Sequence, residues 1–236
     1  MEEVHERGAF IVIEGLDRSG KSTQVALLHE QLQAAGISTK IQRFPDRTTP
    51  IGKMIDSYLR SQSDLDDHAI HLLFSANRWE LVTALKETLN AGTTVLCDRY
   101  AFSGIAFSAS KDLPYDWCRA ADISLPAPDL TLFLDISPEK AKERGRYGEE
   151  RYENEEMQRS VRDVFRRMGE EMQQPANEQD QGKWITVDAG QDRDLVAKEI
   201  WNHRHDQGTK REGNKQCLRQ KRVRDIADGE TWCKRA

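Results

Sequence analysis

The chain has 236 residues, 32% of them charged and 37% hydrophobic, with a formal net charge of −5. That length can bury a substantial core and suits one domain with room for an extension. No apolar stretch approaches the roughly 20 residues of a membrane span, and Met1-Glu2-Glu3-Val4-His5 does not open like a signal peptide.

Cytoplasm or nucleus is therefore the expected location. The charge is unevenly spread. Residues 204–236 hold ten Lys/Arg against five Asp/Glu, whereas the rest of the chain holds 25 against 35. This basic stretch has few aliphatic residues and no apolar period, so it reads as a solvated, disordered tail. Nucleic acid is not an expected partner. Cys97, Cys118, Cys217 and Cys233 lack metal-ligand spacing and read as reduced thiols.

In chain order, short apolar strand signals fall at 10–13, 39–43, 94–97, 130–135 and 184–187. Helical patterns fall at 21–34, 51–60, 67–90, 116–121, 138–144, 154–173 and 192–203. Gly36 and Gly92 stand where two of these helices should stop. Such alternation predicts an α/β fold: a five-stranded parallel sheet with helices on both faces. Ligands in such sheets bind beyond the carboxyl ends of the strands.

Behind the first strand, residues 14–23 read Glu-Gly-Leu-Asp-Arg-Ser-Gly-Lys-Ser-Thr. Gly15, Gly20, Lys21 and Ser22 fill the fixed positions of G-x-x-x-x-G-K-[ST], in the strand–loop–helix setting that the motif requires. Glycines let successive N–H groups turn inward and cradle phosphate oxygens, and the following helix adds its positive dipole end. Lys21 should reach the β- and γ-phosphates of a nucleoside triphosphate, and the Ser22 hydroxyl should ligate Mg²⁺.

Arg47, Arg78 and Arg99 follow strands or lie on a helix that should face the same cleft. Each alone suits an ordinary surface; together they suit a second, phosphate-bearing substrate, because guanidinium groups grip phosphate bidentately. Phe44 and Phe74 accompany Arg47 and Arg78, and Phe102 and Phe107 follow Asp98-Arg99-Tyr100. An aromatic beside a guanidinium can stack on a base and donate to its exocyclic oxygen, although helical aromatics also serve as core. The charged, glycine-bearing stretch 144–153 suits a lid over phosphates or an exposed loop.

The segments Phe44-Pro45-Asp46-Arg47, Leu72-Leu73-Phe74-Ser75-Ala76-Asn77-Arg78-Trp79-Glu80 and Asp98-Arg99-Tyr100-Ala101-Phe102-Ser103-Gly104 resemble thymidylate kinases of the eukaryotic type. So does Arg151-Tyr152-Glu153-Asn154, and the likeness runs in order from about residue 7 to residue 203. It implies transfer of the γ-phosphoryl group of Mg-ATP to dTMP in a nucleoside monophosphate kinase fold. It also implies an ATP site of Gly15, Asp17, Arg18, Ser19, Gly20, Lys21, Ser22 and Thr23, with Arg144 against adenine and Asp188-Ala189-Gly190 beside it. For the acceptor it implies Asp17 at the sugar 3′-hydroxyl, Phe74 stacked on thymine and Arg78 at its O4. Arg47 and Arg99 would hold the phosphate, Ser103, Gly104, Phe44 and Phe107 would wall the pocket, Tyr152 would disfavour ribose, and Gln158 would help close the site.

By the same resemblance, Arg18 in the P-loop is the catalytic arginine with Lys21, although the lid also carries Arg146. Asp98, ending its strand, would hold Mg²⁺ with Ser22 or orient the acceptor phosphate. A homodimer is implied too, and the 67–90 pattern has apolar residues on more than one face. The tail matches no part of the family pattern. From the residues alone, a P-loop kinase for another nucleoside monophosphate and a nucleotide-binding switch without turnover remain open.

Overall fold

The computed structural model describes residues 7–144, 150–173 and 182–213, with 204–213 as main chain only. Five strands form one parallel sheet: β1 (Phe10–Gly15), β2 (Thr39–Arg43), β3 (Thr94–Asp98), β4 (Leu130–Asp135) and β5 (Lys183–Asp188). Their spatial order is β2-β3-β1-β4-β5. The chain thus leaves central β1 toward one edge and later returns to the other, which opens a crevice at the carboxyl end of β1. All of β1 and β3 is buried, as their unbroken apolar runs require.

Helix α1 (Lys21–Ala34) starts where the phosphate loop ends. Then come α2 (Pro50–Leu59), α3 (Asp67–Trp79), α4 (Val82–Asn90), α5 (Ala101–Ala109), α6 (Tyr115–Ala120), α7 (Pro138–Glu143), α8 (Glu155–Met172) and α9 (Arg193–Gly213). The pairs α1–α9 and α5–α8 each pack together and against the sheet, forming its two helical layers. Thr49 caps α2, Asp66 caps α3 and Asn154 caps α8, each accepting a backbone N–H.

Three helices differ from the sequence expectation. The single 67–90 helix is two, separated at Glu80–Leu81. No glycine or proline breaks it. At the junction the Glu80 carboxylate accepts from Thr49 Oγ1, the α2 cap, at 2.9 Å and from Asn77 Nδ2, one turn back in α3, at 3.1 Å. Helix α5 was not expected at all; it is apolar on every side and almost wholly buried, so no amphipathic period marks it. The last helix continues past residue 203 to Gly213.

Beside the main core lies a second cluster of Ile55, Tyr58, Leu59, Ile70 and Tyr152. It joins α2 and α3 to the chain that enters α8, and so fixes Tyr152 at the cleft.

Candidate active site

A cleft of about 910 Å³ opens at the carboxyl ends of β1, β2 and β3. Asp17, Arg18, Gly20, Lys21, Ser22 and Thr23 line it on one side, and Phe44, Arg47, Phe74, Arg78, Asp98, Arg99, Ser103, Gly104, Phe107, Arg144 and Tyr152 line the rest. Of the remaining expected residues, Gly15, Ser19 and Gln158 lie buried just behind the wall. Asp188, Ala189 and Gly190 meet it through Arg144, which donates to the carbonyls of Arg18, at 3.1 Å, and Ala189. Phe102 is in the core against Trp184. Arg146 lies outside the described residues.

The loop owes its shape to two glycines. Gly15 (φ 150°) passes so close to Leu134 O that a Cβ would stand 2.7 Å from it, and Gly20 (φ 93°) turns the chain into α1. Within the loop Arg18 sits at φ 63°, and Arg99 after β3 sits at φ 68°. Such backbone is costly for residues with a Cβ and persists where the surroundings fix it.

Ser22 Oγ donates to Asp98 Oδ2 at 2.6 Å, and Arg43 Nε donates to the same oxygen at 3.1 Å. Lys21 is buried, with Nζ on Leu16 O at 2.5 Å. Arg18 is held by Glu153, with 2.9 Å between Nη2 and Oε1. Arg47 donates to Asp56 at 2.7 Å and to Glu150 at 2.8 Å. Three arginines expected to meet phosphate thus already carry carboxylate partners, since Arg99 pairs with Asp17. Gln158 ties in the same Asp17, donating to Oδ2 at 2.8 Å and accepting its backbone N–H at 3.0 Å.

On the far side, Arg78 and Asp122 form a buried, two-pronged ion pair at 3.1 and 2.6 Å, with Ser75 Oγ also donating to Asp122. Phe74, half-buried, faces the cleft one helical turn before Arg78. Gly104 makes room for Arg78: a Cβ would come within 2.8 Å of Arg78 Nη2 and push the guanidinium aside. Tyr152 stacks against Phe107 at 5.4 Å, and its hydroxyl meets Lys111 Nζ at 3.3 Å and Tyr58 at 3.4 Å. Burial raises the pKa of that phenol far above its usual value, so it stays neutral.

Residues 13–200 match the family model described as thymidylate kinase. A thymidylate kinase of Arabidopsis thaliana is 54% identical over 197 residues, covering 84% of this chain and 71% of that protein. The Homo sapiens thymidylate kinase is 46% identical over 195 residues, 82% of this chain and 88% of that protein. The solved thymidylate kinase of Candida albicans aligns with a TM-score of 0.74 at 38% identity, over 86% of this chain and 93% of that one. The chain belongs to the thymidylate kinase family.

For a thymidylate kinase, two residues that the sequence reading passed over stand out. Glu14, at the end of an otherwise apolar strand, is fully buried behind Arg99. Burial pushes its pKa up, while the Ser103 hydroxyl, the Arg99 charge and two backbone N–H groups pull it back. A carboxylate ending such a strand was the visible signal. Asp122 gave none: it sits in an unremarkable stretch, and its partner Arg78 is 44 residues away.

The phosphate loop is sensitive to pH. Burial lowers the Lys21 pKa from 10.5 to about 7; the Arg99 charge adds to this, while Asp17, Asp98 and Glu14 oppose it. A lysine whose folded pKa lies below its unfolded value loses a proton on folding between those limits. The ligand-free protein should therefore gain stability as pH rises from about 7 toward 10.5. A triphosphate in the loop restores the ammonium, so nucleotide binding at pH 8 should take up close to one proton. Titration calorimetry in two buffers of different ionisation heat measures this, and no uptake would mean that Lys21 is already charged.

Proposed function

We infer that this chain transfers the γ-phosphoryl group of ATP to dTMP, yielding dTDP and ADP for dTTP synthesis. The observation that carries the reading is one cleft holding both a phosphate loop and a second pocket with an aromatic ring, a buried arginine and Arg99. A hydrolase would have no use for the second half, and a nucleoside kinase would have less use for Arg47 and Arg99.

Phosphoryl transfer demands in-line positioning and neutralisation of the equatorial oxygens more than covalent help. Backbone N–H groups of the loop hold the β-phosphate, and Lys21 and Arg18 balance charge on the group in flight. Arg99 and Arg47 aim the acceptor oxygen, exchanging their carboxylate partners for phosphate. That phosphate is mostly ionised at neutral pH (second pKa about 6), so no strong base is needed. Asp17 meets the 3′-hydroxyl, Phe74 and Arg78 read thymine, and Ser103, Gly104, Phe44 and Phe107 close its walls.

Ser22 and Asp98 offer only oxygen, a hydroxyl beside a carboxylate, which is the donor chemistry that Mg²⁺ prefers. They would hold it, and when bound it supplies charge neutralisation between the β- and γ-phosphates. Arg144 and the 188–190 turn frame adenine. The proposed division is a kinase domain over 1–203, with a lid at about 144–153, and a basic extension over 204–236. Residues 145–149 and 214–236 lie outside the described residues. Exposed Leu72 and Trp79 on α3 support a homodimer, which sedimentation equilibrium checks directly. Among the described residues no helix is long and apolar enough to cross a membrane; cytoplasm or nucleus is the proposed location.

In this reading Tyr152, which lines the cleft, crowds the ribose 2′ position. Tyr152→Ala should raise the ribonucleotide-to-deoxyribonucleotide ratio of kcat/KM by about tenfold, the scale of one steric contact in a pocket. An unchanged ratio would remove Tyr152 from sugar selection.

The function itself is tested by ADP release with Mg-ATP and dTMP, dUMP, UMP, CMP, AMP or no acceptor. Strong preference for dTMP is expected. Release without any acceptor would make water the substrate and end the kinase reading.

A further inference from the structure

We propose that Glu14 is a positioning residue for the acceptor-phosphate grip: its carboxylate fixes the Ser103 hydroxyl as an acceptor and thereby sets the Arg99 guanidinium. This rests on the reading of Arg99 as a contact to the dTMP phosphate.

The two carboxylate oxygens of Glu14 have separate work. Oε1 accepts the backbone N–H groups of Tyr100, at 2.8 Å, and Ser103, at 3.1 Å. These are orphan donors at the start of α5, so Glu14 caps from β1 a helix that carries no side-chain cap of its own. Oε2 accepts the Ser103 hydroxyl at 2.5 Å. A hydroxyl has one proton and two lone pairs. Because a carboxylate only accepts, the Ser103 proton is committed to Glu14, and the lone pairs are left facing the cleft. Arg99 Nη1 donates to that oxygen at 3.0 Å and to Gly15 O at 3.0 Å. Its Nη2 turns to Asp17, in the cleft. The order is therefore buried carboxylate, hydroxyl, guanidinium, substrate. The cap on α5 uses only Oε1, so Oε2 is left for the hydroxyl that Arg99 meets.

The substitution Glu14→Gln separates the two oxygens. The amide oxygen can keep both backbone N–H groups, so the cap and the fold are retained. The amide nitrogen then replaces Oε2 and donates where the carboxylate accepted. The Ser103 proton loses its acceptor, its lone pair is taken by the amide, and the negative charge behind Arg99 is gone.

Calorimetric titration of dTMP and of thymidine distinguishes this role from general damage, since thymidine fills the base and sugar pocket without touching a phosphate grip. Wild-type protein should hold dTMP more tightly than thymidine. Glu14→Gln should weaken dTMP by roughly tenfold, the scale of one charge-assisted hydrogen bond, with thymidine and the KM for ATP held within about twofold. If Glu14→Gln fails to fold, Glu14→Asp, which keeps a carboxylate but draws it back from the Ser103 hydroxyl, should show the same dTMP-selective loss and decides the matter. Equal weakening of both ligands, or a dTMP affinity within about twofold of wild type, overturns the proposal. A wild-type protein that binds thymidine as tightly as dTMP overturns the reading of Arg99 and this proposal together.

Discussion

Replacing Arg18 by alanine is expected to lower kcat by about 10²–10³-fold, the range seen when one preorganised donor to a transition state is removed. The KM for ATP should move little, because the loop's N–H groups and Lys21 hold the ground state. The expectation rests on position. Arg18 lies in the phosphate loop in a left-handed backbone conformation, with its guanidinium fixed by Glu153 at the cleft. That bond holds the guanidinium at the cleft in advance, which in the proposed reading leaves little ordering for the moment of transfer. The rival is a lid arginine. Arg144 is engaged with the carbonyls of Arg18 and Ala189, a posture suited to framing adenine and not to meeting a γ-phosphate. Steady-state kinetics of Arg18→Ala with saturating dTMP settles the competition. A kcat within about threefold of wild type, well short of the loss from removing a transition-state donor, would transfer the role to the lid.

Removing Asp122 should cost more stability than any other single change at the site. Arg78 and Asp122 are both excluded from solvent, with side-chain exposures of 2% and 0%. Asp122→Ala strands a buried guanidinium, and breaking such a pair from one side typically costs about 3–5 kcal/mol. Since a domain of this kind is held by only about 5–15 kcal/mol, the variant should unfold at much lower urea concentration. Asp122→Asn keeps an acceptor for Arg78 and should recover part of the loss. A cost below about 1 kcal/mol for the alanine variant would mean that water reaches Arg78, as it does at surface pairs. The same pair keeps the guanidinium edge next to Gly104, where any larger residue would displace it. With Arg78 proposed to read thymine, base choice and core stability would rest on the same pair.

What could be read from the chain followed physical rules with a local signature. Four strands hold short apolar runs and were legible as such, with β1, β3 and β5 only slightly longer than expected. Contrary to the expectation of an apolar strand, β2 is polar and largely exposed at the sheet edge. The phosphate loop was legible because its chemistry needs glycines and a lysine at fixed spacing. Helix α5 was hidden for the opposite reason: Phe102, Ile105 and Ala106 are buried together with Ser103 and Gly104, and no polar face betrays the period. The break between α3 and α4 was hidden because no glycine or proline marks it. At the site, the cations announced themselves and their counter-charges did not. Arg18, Arg47, Arg78 and Arg99 were expected, but Glu153, Glu150 and Asp122 became their partners only through folding. Asp17 was expected as a sugar contact, and the fold makes it the Arg99 partner.

The central claim is that the γ-phosphoryl group reaches dTMP. Incubation with γ-labelled Mg-ATP and dTMP, followed by chromatographic separation of the products, tests it in one step. The account predicts label in dTDP, with as much ADP formed as dTDP and none in inorganic phosphate beyond background. Label in inorganic phosphate with dTMP unchanged would contradict it.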